Sequence, residues 1–289
     1  MAADRNDDPA TDAEECRRIL RAHDHDRYLT ALFAGAKFRR RLMALYAFNF
    51  EIARIRETVS ESLLGEIRLQ WWQEAIEGIY GGDVRAHAVA RELAHALGEA
   101  AVPKALFDKL IEARRADLYD ETVKSFEDLE AYCEQTGGAL TETAICFAEC
   151  GDRPKAREAA RHVGTAWAIT GVVRAIGHHM REGRNVLPDE AYSDAGLARH
   201  DLASSEWPDE LKAQVAVAAD RARARLAAAR ELRAAVPKTA VPVMLPAVIA
   251  EDYLRRLDRA GFDPLRADFA AGAVRRQLRL FRAALTGRY

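Results

Sequence analysis

The residues of this 289-residue chain whose types and spacing suggest chemistry fall in three short stretches. In the first, Glu51 and Glu57 flank Arg54 and Arg56. Carboxylates one helical turn apart would hold a hard divalent ion, but six residues turn Glu51 and Glu57 to different sides of a helix. Arg54 between them adds positive charge where a cation would sit. In the second stretch, His178 and His179 are adjacent. Imidazole suits Zn²⁺ rather than Mg²⁺, and helical neighbours point about 100° apart, so a zinc site would need distant partners. Solvated or capping histidines are the plainer reading. The third stretch holds Cys146 and Cys150, one turn apart, of four cysteines in all (with Cys16 and Cys133). There is no C-x-x-C pair, so buried thiols in a reducing compartment are expected rather than zinc or a redox dithiol.

The elements that must position these residues are helices. Apolar residues recur at three- and four-residue spacing along nearly the whole chain, and strand-like alternation is scarce. Leu42, Leu45, Tyr46, Asn49 and Ile52 mark one face of a helix over 36–56. Further helices are expected over 63–80 (stopped by Gly81-Gly82), 85–97, 103–119, 125–150 and 154–179. Ser125 and Asp128 offer a start signal for the fifth. A turn-rich loop over 181–200 precedes a long Ala/Arg helix opened by Trp207-Pro208, then helices over 240–260 and 264–285. Pro242 and Pro246 should bend or interrupt the first of these last two.

Composition bounds the rest. A formal net charge of -2 gives no strong field that would draw the chain as a whole to nucleic acid or to an anionic membrane. Hydrophobic residues at 49% suffice for a core, and no Gly/Ser-rich linker or internal repeat divides the sequence. One all-α domain over 19–289 is expected, behind a disordered acidic tail over 1–18. The first fifteen residues resemble neither a secretory signal nor an Arg-rich transit peptide. The segment from Val236 to Ala250 is too short and proline-broken to span a bilayer. Trp71-Trp72 reads as one core and one rim residue, and Arg221, Arg225 and Arg233 as a solvated helix face with intrahelical pairs.

Two motif-bearing segments are more specific than periodicity. One runs Leu45-Tyr46-Ala47-Phe48-Asn49-Phe50-Glu51-Ile52-Ala53-Arg54-Ile55-Arg56-Glu57. The other runs Gly171-Val172-Val173-Arg174-Ala175-Ile176-Gly177-His178-His179, followed by Gly183-Arg184-Asn185-Val186-Leu187-Pro188. Together they resemble the squalene/phytoene synthase family, whose helices read roughly A-L-Y-A-F-C-R-x-x-D-D-x-x-D and N-I-L-R-D-V-x-E-D, then G-R-x-Y-L-P. Arg39, and Leu129-Tyr132-Cys133 with Gly137-Gly138, add to the resemblance, which covers residues 27–285. It implies a single-domain helical bundle of the class I isoprenoid synthase type. In that family the two acidic clusters face one another and hold Mg²⁺ ions that draw off the substrate's diphosphate.

The acidic clusters are where this sequence departs. The first cluster's aspartates fall on Ala53, Arg54 and Arg56 or Glu57, and a neighbouring arginine is Phe50. In the second, Gly171 replaces Asn, Ala175 replaces Asp, and His178-His179 replace Glu-Asp. Val186 stands where the family has the Y-L-P tyrosine. These vestigial positions imply no catalytic residues, no metal and no cofactor. Tyr46, Phe50, Tyr132, Thr136, Gly171 and Arg174 match cavity-lining positions, against core packing or a buried ion pair as the structural alternative.

The motif Ala47-Phe48-Asn49 with Glu51, Val59-Ser60-Glu61, and Val236-Pro237 leading to Pro242 and Glu251-Asp252-Tyr253-Leu254 resemble one branch of the family, its assembly factors of respiratory complex I. That resemblance implies a catalytically silent protein whose partners are complex I subunits or other assembly factors. It would be cytoplasmic, peripheral at the inner face of the inner membrane, or on the matrix side in a mitochondrion. Two rival readings are an active head-to-head prenyltransferase using Mg²⁺, and a non-catalytic binder of an isoprenoid, quinone or other lipid.

Overall fold

The computed structural model describes residues 9–98, 100–119, 123–181, 186–198 and 207–289, and among these there is no strand. The Cys150 side chain and the Gly183-Arg184-Asn185 stretch lie outside the described residues.

The first helix, α1 (Pro9–His23), corrects the expected tail over residues 9–18; the tail's first eight residues lie outside the described residues. Cys16, Ile19 and Leu20 recur at helical spacing and are buried, so an acid-rich composition hid a full apolar stripe. Its buried acid, Asp12, accepts from Arg91 at 2.7 Å, which removes the penalty of burying the charge. A short α2 (His25–Ala31) follows, capped by Asp24, whose side chain accepts from the Arg27 backbone N–H.

The expected helix over 36–56 is two pieces, α3 (Ala36–Ala53) and α4 (Ile55–Thr58), broken at Arg54. Helix α5 (Ser62–Gly81) ends at Gly82 in the left-handed conformation, φ 86°. Helices α6 (Ala88–Gly98) and α7 (Lys104–Ala113) complete the first half; a short 3₁₀ turn at Ala116–Leu118, rather than more α-helix, follows α7. Phe48 of α3 is fully buried against Trp72 of α5 and Phe107 of α7, with ring centroids 5.3 and 5.6 Å away.

The stretch over 125–150 is one helical rod with two π-helical turns: α8 (Phe126–Cys133), a π turn at Glu134–Gly138, α9 (Ala139–Ile145) and a second π turn at Cys146–Cys150. Ser125 and Asp128 form the reciprocal capping box at its start. Against this rod lies the long α10 (Pro154–Arg181). The two meet backbone to backbone at Gly137 and Gly164: a methyl added at either would run into the other's carbonyl oxygen.

A one-and-a-half-turn α11 (Asp189–Asp194) sits in the expected loop, and α12 (Asp209–Glu231) packs along α10. Pro242 and Pro246 open two successive helices, α13 (Val241–Met244) and α14 (Pro246–Arg259). The last helix, α15 (Ala273–Thr286), starts nine residues later than the spacing suggested, after Gly272 at φ 64°.

Candidate functional site

The two motif helices, α3 and α10, are bridged near their C-terminal halves by α2. The Arg27 guanidinium of α2 lies 5.6 Å from the Tyr46 ring of α3 and 5.8 Å from the Trp167 ring of α10. Asp24 holds it through a charged hydrogen bond of 2.7 Å. A fixed cation thus stands between two aromatic faces, where its attraction to each ring quadrupole is strengthened by partial burial.

The series continues along α10. Arg174 lies 5.8 Å from Trp167 and 4.9 Å from the Tyr253 ring of α14, and Arg276 of α15 covers the same tyrosine at 4.8 Å. Asp26, buried, accepts from Arg174 at 2.9 Å and from the Tyr253 hydroxyl at 2.6 Å. Asp252 collects Arg256 at 2.9 Å and Arg279 at 3.0 Å. Burial, reinforced by Asp26, pushes the Tyr253 phenol up to about 12. Burial likewise pushes Tyr46 up to about 12. Both phenols are therefore held protonated, and the Tyr253 hydroxyl donates to Asp26.

At the first cluster, Phe50 stacks on the His23 imidazole with centroids 4.5 Å apart, and Arg54 covers Phe50 at 5.2 Å. Arg54 is also paired with Glu51 at 3.0 Å. Ala53 is half-buried, and Glu57 is exposed on α4, past the break. At the second, Ala175 is half-buried, and the His178 and His179 rings lie 5.5 Å apart at the C-terminal end of α10. Among the described residues, no three His, Cys, Asp or Glu side chains converge on a common point. The set at these positions, one carboxylate with two alanines, an arginine and two imidazoles, does not fit Mg²⁺, which wants several hard oxygens.

Of the six cavity positions, Tyr46, Phe50 and Arg174 lie along this aromatic and cationic seam. Arg174 is in the ion pair that was the structural alternative for it. A methyl at Gly171 would meet nothing within 4 Å. Tyr132 is turned elsewhere: its hydroxyl donates to Asp117 at 2.7 Å and accepts from Arg114 at 3.0 Å. Thr136 donates to the Tyr132 carbonyl at 2.8 Å within the π turn.

The sequence reading missed Asp24, Asp26, Arg27, Trp167 and Arg276. Asp24 carried the one usable signal, an N-cap residue at the head of a helix. Arg221 and Arg225 also differ from expectation: they reach across to Glu130 of α8, at 2.9 and 2.5 Å, rather than pairing within α12. Trp72 is core and Trp71 rim, with Arg85 over the latter at 5.3 Å.

A bundle of this topology, with its motifs on facing helices around an aromatic seam, defines an isoprenoid-synthase-type protein. The chain belongs to the squalene/phytoene synthase family, whose family model matches residues 20–282. It is 32% identical to NADH dehydrogenase (ubiquinone) complex I, assembly factor 6, of Mus musculus over 86% of this chain and 74% of that one. It is 30% identical to the Homo sapiens protein of the same name over the same shares. A 15-cis-phytoene synthase of Synechococcus elongatus is 24% identical, over 73% and 71% of the two chains. Among solved structures, a dehydrosqualene synthase in complex with ligand superposes with a TM-score of 0.83 at 18% identity, covering 97% of this chain and 99% of that one. A squalene synthase from Alicyclobacillus acidocaldarius gives 0.78 at 23%, covering 89% and 96%. These likenesses bear out the fold expected from the motifs.

Proposed function

We propose that this chain is a non-catalytic member of its family that acts in the assembly of respiratory complex I. The observation that carries the reading is the state of the two cluster positions. The residues there supply one exposed carboxylate, and Arg27, which spans the motif helices, is already paired with Asp24. An isoprenoid diphosphate leaves only when its developing charge is neutralised, and Arg54 and Arg27 are already neutralised by Glu51 and Asp24. No metal or other cofactor is needed for a scaffold of this kind. The names of the relatives at 30–32% identity support the assembly role.

On this reading the partners are complex I subunits or other assembly factors, met at the face of the membrane where that complex is built. Deleting the gene and measuring assembled NADH:quinone oxidoreductase tests the role. The expected result is a loss restored by the wild-type chain; unaltered complex I would refute it. Turnover is tested apart from this, by incubating pure protein with farnesyl or geranylgeranyl diphosphate and Mg²⁺. Steady diphosphate release would favour the rival reading, an active prenyltransferase.

A further inference from the structure

The outward face of α15 is apolar. Val274, Leu278, Phe281 and Leu285, spaced four, three and four residues apart, form one stripe and are 71%, 65%, 57% and 69% exposed. The opposite side of the helix, Leu280 and Ala283, is what enters the core. A surface helix ordinarily turns its polar face to water, so this orientation is inverted. The stripe continues over Leu32, itself 40% exposed, along a groove of about 450 Å³ that Leu29 of α2 and Phe33, just past the end of α2, share with α15.

Charge frames the stripe. From Ala273 to Tyr289 there are five arginines and no acidic residue. Arg276 and Arg279 turn inward to Asp252 and Asp26. Arg275 and Arg282 stay exposed along one rim of the stripe, without an ion pair among the described residues.

We propose that α15 is a docking surface for an anionic lipid bilayer, lying in the headgroup plane with its apolar stripe inserted and Arg275 and Arg282 on lipid phosphates. An exposed apolar stripe edged by cations matches an interface that is greasy beneath and negative at its surface. A second copy packed antiparallel on the same stripe about a two-fold axis would bring arginine rim against arginine rim, which like-charge repulsion disfavours. No described helix is long and apolar enough to cross a membrane, and α15 has 14 residues, so it rests on the bilayer rather than spanning it. The inference does not depend on the assembly role, because vesicle binding reads the surface whatever the partner.

The test is sedimentation of the full chain with vesicles of phosphatidylcholine alone and of phosphatidylcholine mixed with phosphatidylglycerol. Wild type is expected to sediment with the mixed vesicles, less so as salt is raised. Leu278→Gln with Phe281→Gln should weaken binding at least about tenfold while leaving the thermal midpoint and helical circular dichroism unchanged. Arg275→Gln with Arg282→Gln should weaken binding to mixed vesicles about 25-fold, about fivefold for each arginine, and leave binding to neutral vesicles alone. Equal binding of wild type to both vesicle types would overturn the proposal. So would no sedimentation with mixed vesicles, whether light scattering then shows a dimer or a monomer.

Discussion

Arg174 of α10 and Asp26 of α2 are 148 residues apart in sequence and 2.9 Å apart in space. The Tyr253 hydroxyl donates to the same carboxylate oxygen at 2.6 Å. One buried acid therefore ties α2, α10 and α14 together beside the motif helices. Its position explains how a bundle short of the family's acidic clusters keeps Arg27 and Arg174 in place: their compensating carboxylates, Asp24 and Asp26, come from the start of α2.

Replacing Asp26 should cost more than replacing either donor. Asp26→Ala strands the Tyr253 hydroxyl and leaves Arg174 and Arg276 facing one another, an expected loss of about 2 to 3 kcal/mol. The loss falls short of that for a fully buried charge because the Arg174 side chain is 39% exposed and water screens it. Tyr253→Phe should cost about 1 kcal/mol, the worth of one hydrogen bond. Urea unfolding midpoints of the two variants check the order; equal losses would show that Asp26 does not hold the cluster.

Two glycines on α10 should respond oppositely to the same change. Gly164→Ala drives a methyl into the Gly137 carbonyl, so α10 must move off the α8–α9 rod, at about 2 to 3 kcal/mol. Gly171→Ala meets open space on a continuous helix, where alanine is better than glycine by up to about 1 kcal/mol. Thermal midpoints should fall for the first and hold or rise for the second.

The unequal legibility of the sequence has a physical origin. Periodicity placed the helices because burial repeats every three to four residues, and the family motifs placed α3 and α10 opposite each other. The break at Arg54 was invisible, since the residues around it all have helical propensity and include no glycine or proline. The α1 stripe was masked by its acids, of which the buried one, Asp12, has its partner Arg91 far off in sequence. The site was legible in what it lacks and illegible in what replaced it. An aspartate missing at position 175 is read from one letter, whereas Arg27 between Tyr46 and Trp167 requires three segments to be assembled first.

Divalent metal should not stabilise the fold. A ligand bound at a hundred times its dissociation constant adds about 2.7 kcal/mol to stability and raises the thermal midpoint. With Ala53, Arg54 and Ala175 at the cluster positions, the midpoint in excess MgCl₂ with a non-hydrolysable farnesyl diphosphate analogue should equal that in EDTA. A rise that needs both metal and analogue would reveal oxygen donors outside the positions considered and reopen the catalytic reading.

Alkaline pH should unfold the bundle through its tyrosines. Tyr46 and Tyr253 have phenols pushed up to about 12, against about 10 in an unfolded chain, chiefly by burial. Between these values the folded state keeps protons that the unfolded state has released, so stability falls as pH rises from about 10 toward 12, by up to about 1.4 kcal/mol per pH unit for each phenol. Below pH 10 the contribution is fully present. Phenolate absorbance of these buried rings and loss of far-ultraviolet circular dichroism should therefore rise together. Tyr46→Phe should shift the transition upward in pH, because it removes a group that must stay protonated for the fold to persist. Phenolate appearing for all tyrosines near pH 10 with the helices intact would show that water reaches the seam between α3 and α10, and that the rings are not sealed as the geometry requires.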